Sequence, residues 1–148
     1  QIYWTLTFGD TKHYNPVALR PKMKDYTVFI DGISKAFAAT GVRVGWSMGP
    51  EELMVKMRSL NSHIGSWAPM AEQHAVARFL RDDEKVQDYL TYFKSEVEFR
   101  LRKIYEGFQQ LKNDGFSVDA IVPQAAIYLT VQINLVGKKT AAGNILKE

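Results

Sequence analysis

Val86, Leu90, Phe93, Val97, Leu101, Ile104, Phe108 and Leu111 follow one another in steps of four and three. That spacing draws one apolar stripe along an α-helix of about seven turns. A helix of this kind is expected to lie packed on a domain rather than to form a coiled coil. Arg81-Asp82-Asp83 precedes it as a polar joint with a candidate Asp cap, and Asn113-Asp114-Gly115 ends it with a C-cap signal. Arg100, Arg102 and Lys103 fall on its solvated side.

The stretch before this helix alternates strand and helix signals. Residues 2–7 are apolar and aromatic and predict a short strand, and residues 8–22, with Gly, Asp, Asn and two prolines, predict a loop. Residues 26–30 are β-branched and aromatic and predict a buried strand ending at the turn signal Asp31-Gly32. A further strand is expected over residues 42–48, closed by Gly49-Pro50. Pro50 with Glu51 and Glu52 opens a helix running to about Leu60. After a break at 61–69, a second helix covers about 70–80. Beyond the long helix, residues 116–118 and 127–133 read as strands separated by Pro123. The pattern is α/β: residues 1–82 form the end of a sheet domain, and residues 83–148 form the long helix and part of a smaller α+β unit.

Composition removes several functions. With no cysteine there is no disulfide, thiolate metal site or cysteine nucleophile. The formal net charge is +3 with acids and bases interspersed, so no basic stripe points to nucleic acid. No apolar run reaches membrane-spanning length, which makes a cytoplasmic protein the expectation. His13, His63 and His74 share no metal-ligand spacing, and Ser34-Lys35 is not the Ser-x-x-Lys spacing of a serine acyl-enzyme.

Chemistry concentrates in Gly32-Ile33-Ser34-Lys35-Ala36-Phe37-Ala38-Ala39-Thr40-Gly41-Val42-Arg43-Val44-Gly45. Lys35 follows a strand end, where α/β sheets place ligands. Desolvation among small and apolar neighbours favours a neutral amine, the state that Schiff-base chemistry needs. Arg43, eight residues on, supplies a fixed cation for a phosphate. The small residues between them leave room for a flat cofactor.

This window resembles, from end to end, the lysine signature of the fold-type I, class I/II pyridoxal-phosphate aminotransferases, the aspartate aminotransferase-like branch in particular. Gln1-Ile2-Tyr3 resembles the end of that family's Asp-Glu-Ile-Tyr strand, and Pro123-Gln124-Ala125-Ala126-Ile127-Tyr128 its Pro-x-Gly-x-Phe-Tyr strand. The resemblance implies the C-terminal part of a large, mostly parallel α/β domain followed by the start of the small domain. It implies pyridoxal 5′-phosphate as cofactor, with Lys35 as Schiff-base lysine and proton shuttle. Arg43 would bind the phosphate, Tyr3 the phenolic oxygen of the ring, and Ser34 would reach the phosphate region. Gly32 stands where many members carry a phosphate-binding serine, so contact from that position would be backbone only or absent.

Amino-acid and 2-oxo-acid substrates, aspartate or a similar amino acid among them, and a homodimer are implied as well. The family's ring-nitrogen aspartate would fall before Gln1 and its substrate-binding arginine beyond Glu148, so the 148 residues by themselves are expected to be an inactive segment. Two alternatives stay open: another fold-type I reaction such as β-elimination at a sulfur amino acid, and a folded, non-catalytic remnant.

Overall fold

The computed structural model describes residues 2–147; Gln1, and with it the first position of the expected Gln1-Ile2-Tyr3 strand, lies outside the described residues. The long helix, α5, spans Asp83–Asn113. Asp82 caps it by accepting from the backbone N–H of Lys85, as its place in the sequence implies. Leu101 is buried and Val86, Leu90, Phe93, Val97 and Phe108 are half-buried, while Ile104 and Leu111 at the far end of the stripe are exposed. Arg100 and Arg102 pair with Glu96 and Glu98 one turn back, and Lys103 pairs with Glu106. These pairs are solvated and add little each.

Before α5 come the helix α1 (Pro16–Leu19), a 3-10 helix (Pro21–Tyr26), the strand β1 (Phe29–Gly32), the helix α2 (Ile33–Ala36), the strand β2 (Gly45–Met48), and the helices α3 (Glu51–Ile64) and α4 (Met70–Leu80). After it come β3 (Val118–Ala120) and β4 (Val131–Ile133). The architecture is mixed helix and strand. Both ladders among the described residues are antiparallel: β1 on β2, with Gly32 opposite Gly45, and β3 on β4, with Val118 opposite Ile133.

Several expectations shift for local reasons. Residues 2–5 form a turn, closed by Leu6 N–H donating to Tyr3 C=O at 2.9 Å, instead of a strand. Only Thr7 pairs, with Ala125, flanked by Phe8 N–H to Gln124 C=O (2.9 Å) and Ala126 N–H to Leu6 C=O (2.8 Å). Leu6 and Phe8 are buried, so the strand-like alternation survives over three residues where a partner exists. The expected loop 8–22 contains α1, whose start is written in Asn15-Pro16: Asn15 Oδ1 accepts from Ala18 N–H at 2.8 Å and the proline occupies the first turn.

Asp31-Gly32, read as a turn, belongs to β1, because glycine opposite glycine lets the two backbones close up. A Cβ on Gly32 would stand 2.9 Å from the Val44 carbonyl oxygen and 3.1 Å from Gly45 Cα. β2 starts only at Gly45, since Arg43 adopts φ 59° and breaks the extended run. Helix α3 passes Leu60 and stops at Gly65, which takes φ 65° and returns its N–H to the Asn61 carbonyl. β3 has the predicted length but starts two residues later, at Val118, and β4 keeps only the last three residues of the predicted 127–133, because the chain turns at 126–127, with Ala126 at φ 65°.

The core is small. Ile33, Val44 and Val76 form its centre, with Phe37, Val42, Trp46 and Leu80 packed against it. The chain exposes 11457 Å², against about 7,700 Å² for a folded monomer of this size. Ile30, Met48, Leu60, Trp67 and Met70 are among the large apolar side chains left exposed. A chain that exposes this much apolar surface leaves faces for other protein to cover. Among the described residues no helix is long and apolar enough to cross a membrane.

Candidate functional site

The lysine window is a closed loop rather than an open connection. β1 runs directly into α2, so Ser34 and Lys35 lie within a single helical turn. Ile33 N–H, beside Ser34, donates to the C=O of Val44, beside Arg43, at 3.2 Å. Phe37 N–H returns to Ile33 C=O (3.2 Å), Ala38 N–H to Lys35 C=O (3.3 Å) and Val42 N–H to Ala39 C=O (3.2 Å). Ala38 (φ 48°) and Arg43 (φ 59°) both hold left-handed backbone without being glycine. That conformation costs on the order of 1 kcal/mol or more per residue and persists only where the surroundings enforce it.

Lys35 and Ser34 are half-buried, and among the described residues no hydrogen bond or ion pair engages the Lys35 Nζ. Lys35 is therefore only partly withdrawn from water, less than its apolar neighbours in sequence suggest. Arg43 is exposed; its Nη1 donates to the Thr40 carbonyl at 2.8 Å, which steadies the guanidinium, and no acid neutralises it among the described residues. An amine without a partner and a steadied cation on one closed loop suit an aldehyde that carries a phosphate. Gly32 offers that phosphate little, because its N–H already donates to Asp31 Oδ1 at 2.8 Å.

Two tethers absent from the sequence reasoning hold the remaining candidate, Tyr3. Trp4 Nε1 donates to Asp31 Oδ2 at 2.7 Å, fastening the N-terminal turn to the residue that leads into the lysine loop. Tyr3 and Tyr128 share a hydroxyl–hydroxyl hydrogen bond of 2.8 Å, their rings edge to face with centroids 5.5 Å apart. This bond, with burial second, holds the Tyr3 hydroxyl above the ordinary tyrosine pKa.

From the other side Tyr89 of α5 donates its hydroxyl to the Phe37 carbonyl at 2.9 Å. Phe79, Phe37, Tyr89 and Phe93 continue as a row of aromatic contacts beneath the loop. Tyr89 sits three residues after Val86 and four before Phe93, so helical spacing already put it on the packed face. Nothing local pairs Trp4 with Asp31, or Tyr3 with Tyr128, across 27 and 125 residues.

Two clefts lie nearby. One of about 730 Å³ is lined by Trp4, Tyr14, Ile30, Asp31 and Met48, and one of about 390 Å³ by Ser47, Arg58, Asn61, Trp67 and Gln73. Lys35 and Arg43 line neither of them.

The family model of aminotransferase class I and II matches residues 1–148. The chain belongs to this family. It is 35% identical over 130 residues to an aspartate aminotransferase of Geobacillus stearothermophilus, covering 87% of this chain and 31% of that protein. It is 30% identical to a probable aspartate/prephenate aminotransferase of Rhizobium leguminosarum bv. phaseoli, covering 99% and 35%. Among solved structures it is similar to the aspartate aminotransferase of Rhizobium meliloti, with a TM-score of 0.80 at 27% identity, over 99% of this chain and 35% of that one. The Thermus thermophilus aspartate aminotransferase with maleate gives 0.74 at 27%, over 88% and 32%. The chain thus spans about a third of the length of the relatives it matches. These neighbours agree with the α/β fold class expected of a fold-type I aminotransferase.

Proposed function

We propose that this chain is a segment of a pyridoxal-phosphate-dependent aminotransferase that moves an amino group between an amino acid, aspartate or a similar one, and a 2-oxo acid. Family membership supports the reaction class. The observation that carries the site assignment is the closed loop joining the neighbours of Ser34 and Arg43 through the Ile33–Val44 hydrogen bond.

Pyridoxal 5′-phosphate, when bound, supplies the electron sink of the reaction. Lys35 would hold it through its amine, and the same amine, once released, would take a proton from the substrate Cα as general base and deliver it as general acid to the former aldehyde carbon of the cofactor. Arg43 answers the phosphate charge, with Ser34 as a nearby hydroxyl, and Tyr3 donates to the phenolic oxygen of the ring. Residues 1–82 are read as the end of the large domain and residues 83–148 as the linking helix with part of the small one. Leu6–Phe8 and Gln124–Ala126 bond across that division. A homodimer in the cytoplasm belongs to the same reading.

Borohydride trapping tests the assignment. The chain is incubated with pyridoxal 5′-phosphate, reduced and mapped by mass spectrometry. The expected label is at Lys35 and is lost in Lys35→Ala. A label spread over exposed lysines and undiminished by Lys35→Ala refutes it.

A further inference from the structure

Tyr128 lies between the turn at 126–127 and β4, and the expected chemistry gives it no task. Its hydroxyl lies 2.8 Å from that of Tyr3, and the edge-to-face rings fix the direction from which it approaches. The backbone bonds on either side of Thr7 and Ala125 hold the two segments together just beside the pair. Trp4, through Asp31, anchors the same turn to the start of the lysine loop.

We propose that Tyr128 is a positioning residue for Tyr3, its hydroxyl fixing where the Tyr3 hydroxyl sits and keeping the Tyr3 proton available for donation to an anionic oxygen. The proposal rests on the reading of Tyr3 as a ring-oxygen partner of the cofactor. Two hydroxyls in series have one consistent polarity when an anionic oxygen occupies the end of the chain: Tyr128 donates to Tyr3, and Tyr3 donates to the anion. A hydroxyl that itself receives a hydrogen bond is a stronger donor. In the cofactor-free chain the raised Tyr3 pKa, with the hydrogen bond to Tyr128 its first cause, marks the opposite polarity, Tyr3 donating to Tyr128, so an anionic oxygen reverses the pair when it occupies the end of the chain. Tyr128 is 63% exposed, and Tyr128→Phe keeps the ring and its edge-to-face contact, so the substitution isolates the hydroxyl.

The test uses the whole 148-residue chain, with tyrosines labelled at the ring carbon that bears oxygen and the Tyr3 resonance identified by its loss in Tyr3→Phe. In the cofactor-free chain Tyr128→Phe should move the Tyr3 titration down toward ordinary tyrosine. An unchanged Tyr3 titration overturns the proposal. Pyridoxal 5′-phosphate affinity, followed by absorbance, gives the second readout. Tyr128→Phe should weaken it about two- to tenfold, the worth of one hydrogen bond, and the double variant should be no weaker than Tyr3→Phe. Losses that add in the double variant overturn the proposal, because Tyr128 would then act independently of Tyr3. Should Tyr3→Phe leave affinity unchanged, the cofactor role of Tyr3 fails, while the titration in the cofactor-free chain still decides the relation between the two tyrosines.

Discussion

Tyr89→Phe isolates a side-chain hydrogen bond between α5 and the lysine loop. The substitution keeps the ring stacked on Phe37 and Phe93, with centroids 5.9 and 5.7 Å away, and removes only the 2.9 Å bond to the Phe37 carbonyl. Phe37 is the C-cap of α2, so the bond acts on the turn that carries Lys35. The bond is partly buried, and losing it should cost about 1 kcal/mol of unfolding free energy. Urea unfolding followed by circular dichroism measures this as a lower midpoint at unchanged slope.

The variant also carries a pH signature. Burial raises the Tyr89 pKa above the ordinary tyrosine value. The folded state therefore keeps the proton longer than the unfolded chain does. Its contribution to stability is complete below the ordinary tyrosine pKa and is lost as pH rises through the raised one. Tyr89→Phe should remove that alkaline loss. A midpoint within error of the parent chain at neutral pH, with the same alkaline decline, would refute the idea that Tyr89 ties the helix to the loop.

Gly32→Ala places a methyl 2.9 Å from the Val44 carbonyl oxygen in an extended ladder with no side chain to move aside. The expected loss is about 1–3 kcal/mol, typical of overpacking, measured by thermal or urea unfolding; a neutral result means that β1 and β2 separate freely. Asp119 is held below the ordinary carboxylate pKa by Lys112 first, then by the Ala120 N–H and Gln109. Its contribution is present above the ordinary carboxylate pKa and is lost as pH falls through the lowered one, so Asp119→Asn should flatten the acid limb of stability, read as unfolding midpoint against pH.

Local signals sufficed wherever a residue's neighbours in sequence were also its partners. Asp82 caps α5 as its position implies, and α4 runs over the residues its pattern suggests. Lys35, Ser34 and Arg43 share one loop because only eight residues separate the outer two. Failures came where the partner was remote or the backbone unusual. Residues 2–5 have strand composition but, among the described residues, no neighbouring strand to bond to, and turn instead. Asp31-Gly32 predicts a turn by its residue types, whereas the missing side chain of Gly32 admits Gly45 from the facing strand. The half-exposed state of Lys35 also depends on what packs around it, which its neighbours in sequence do not specify.

By itself the sequence determined the long amphipathic helix, the α/β character and a lysine–arginine loop with its family resemblance. Each of these is written in spacing over a few turns or in a contiguous window. Only the tertiary structure decided that the turn bearing Tyr3 is held between two remote residues, Asp31 through Trp4 and Tyr128 directly, and that Tyr89 braces the loop from below. A hydroxyl or an indole N–H can bond to any acceptor that the fold brings within reach, and chain spacing does not say which one that is.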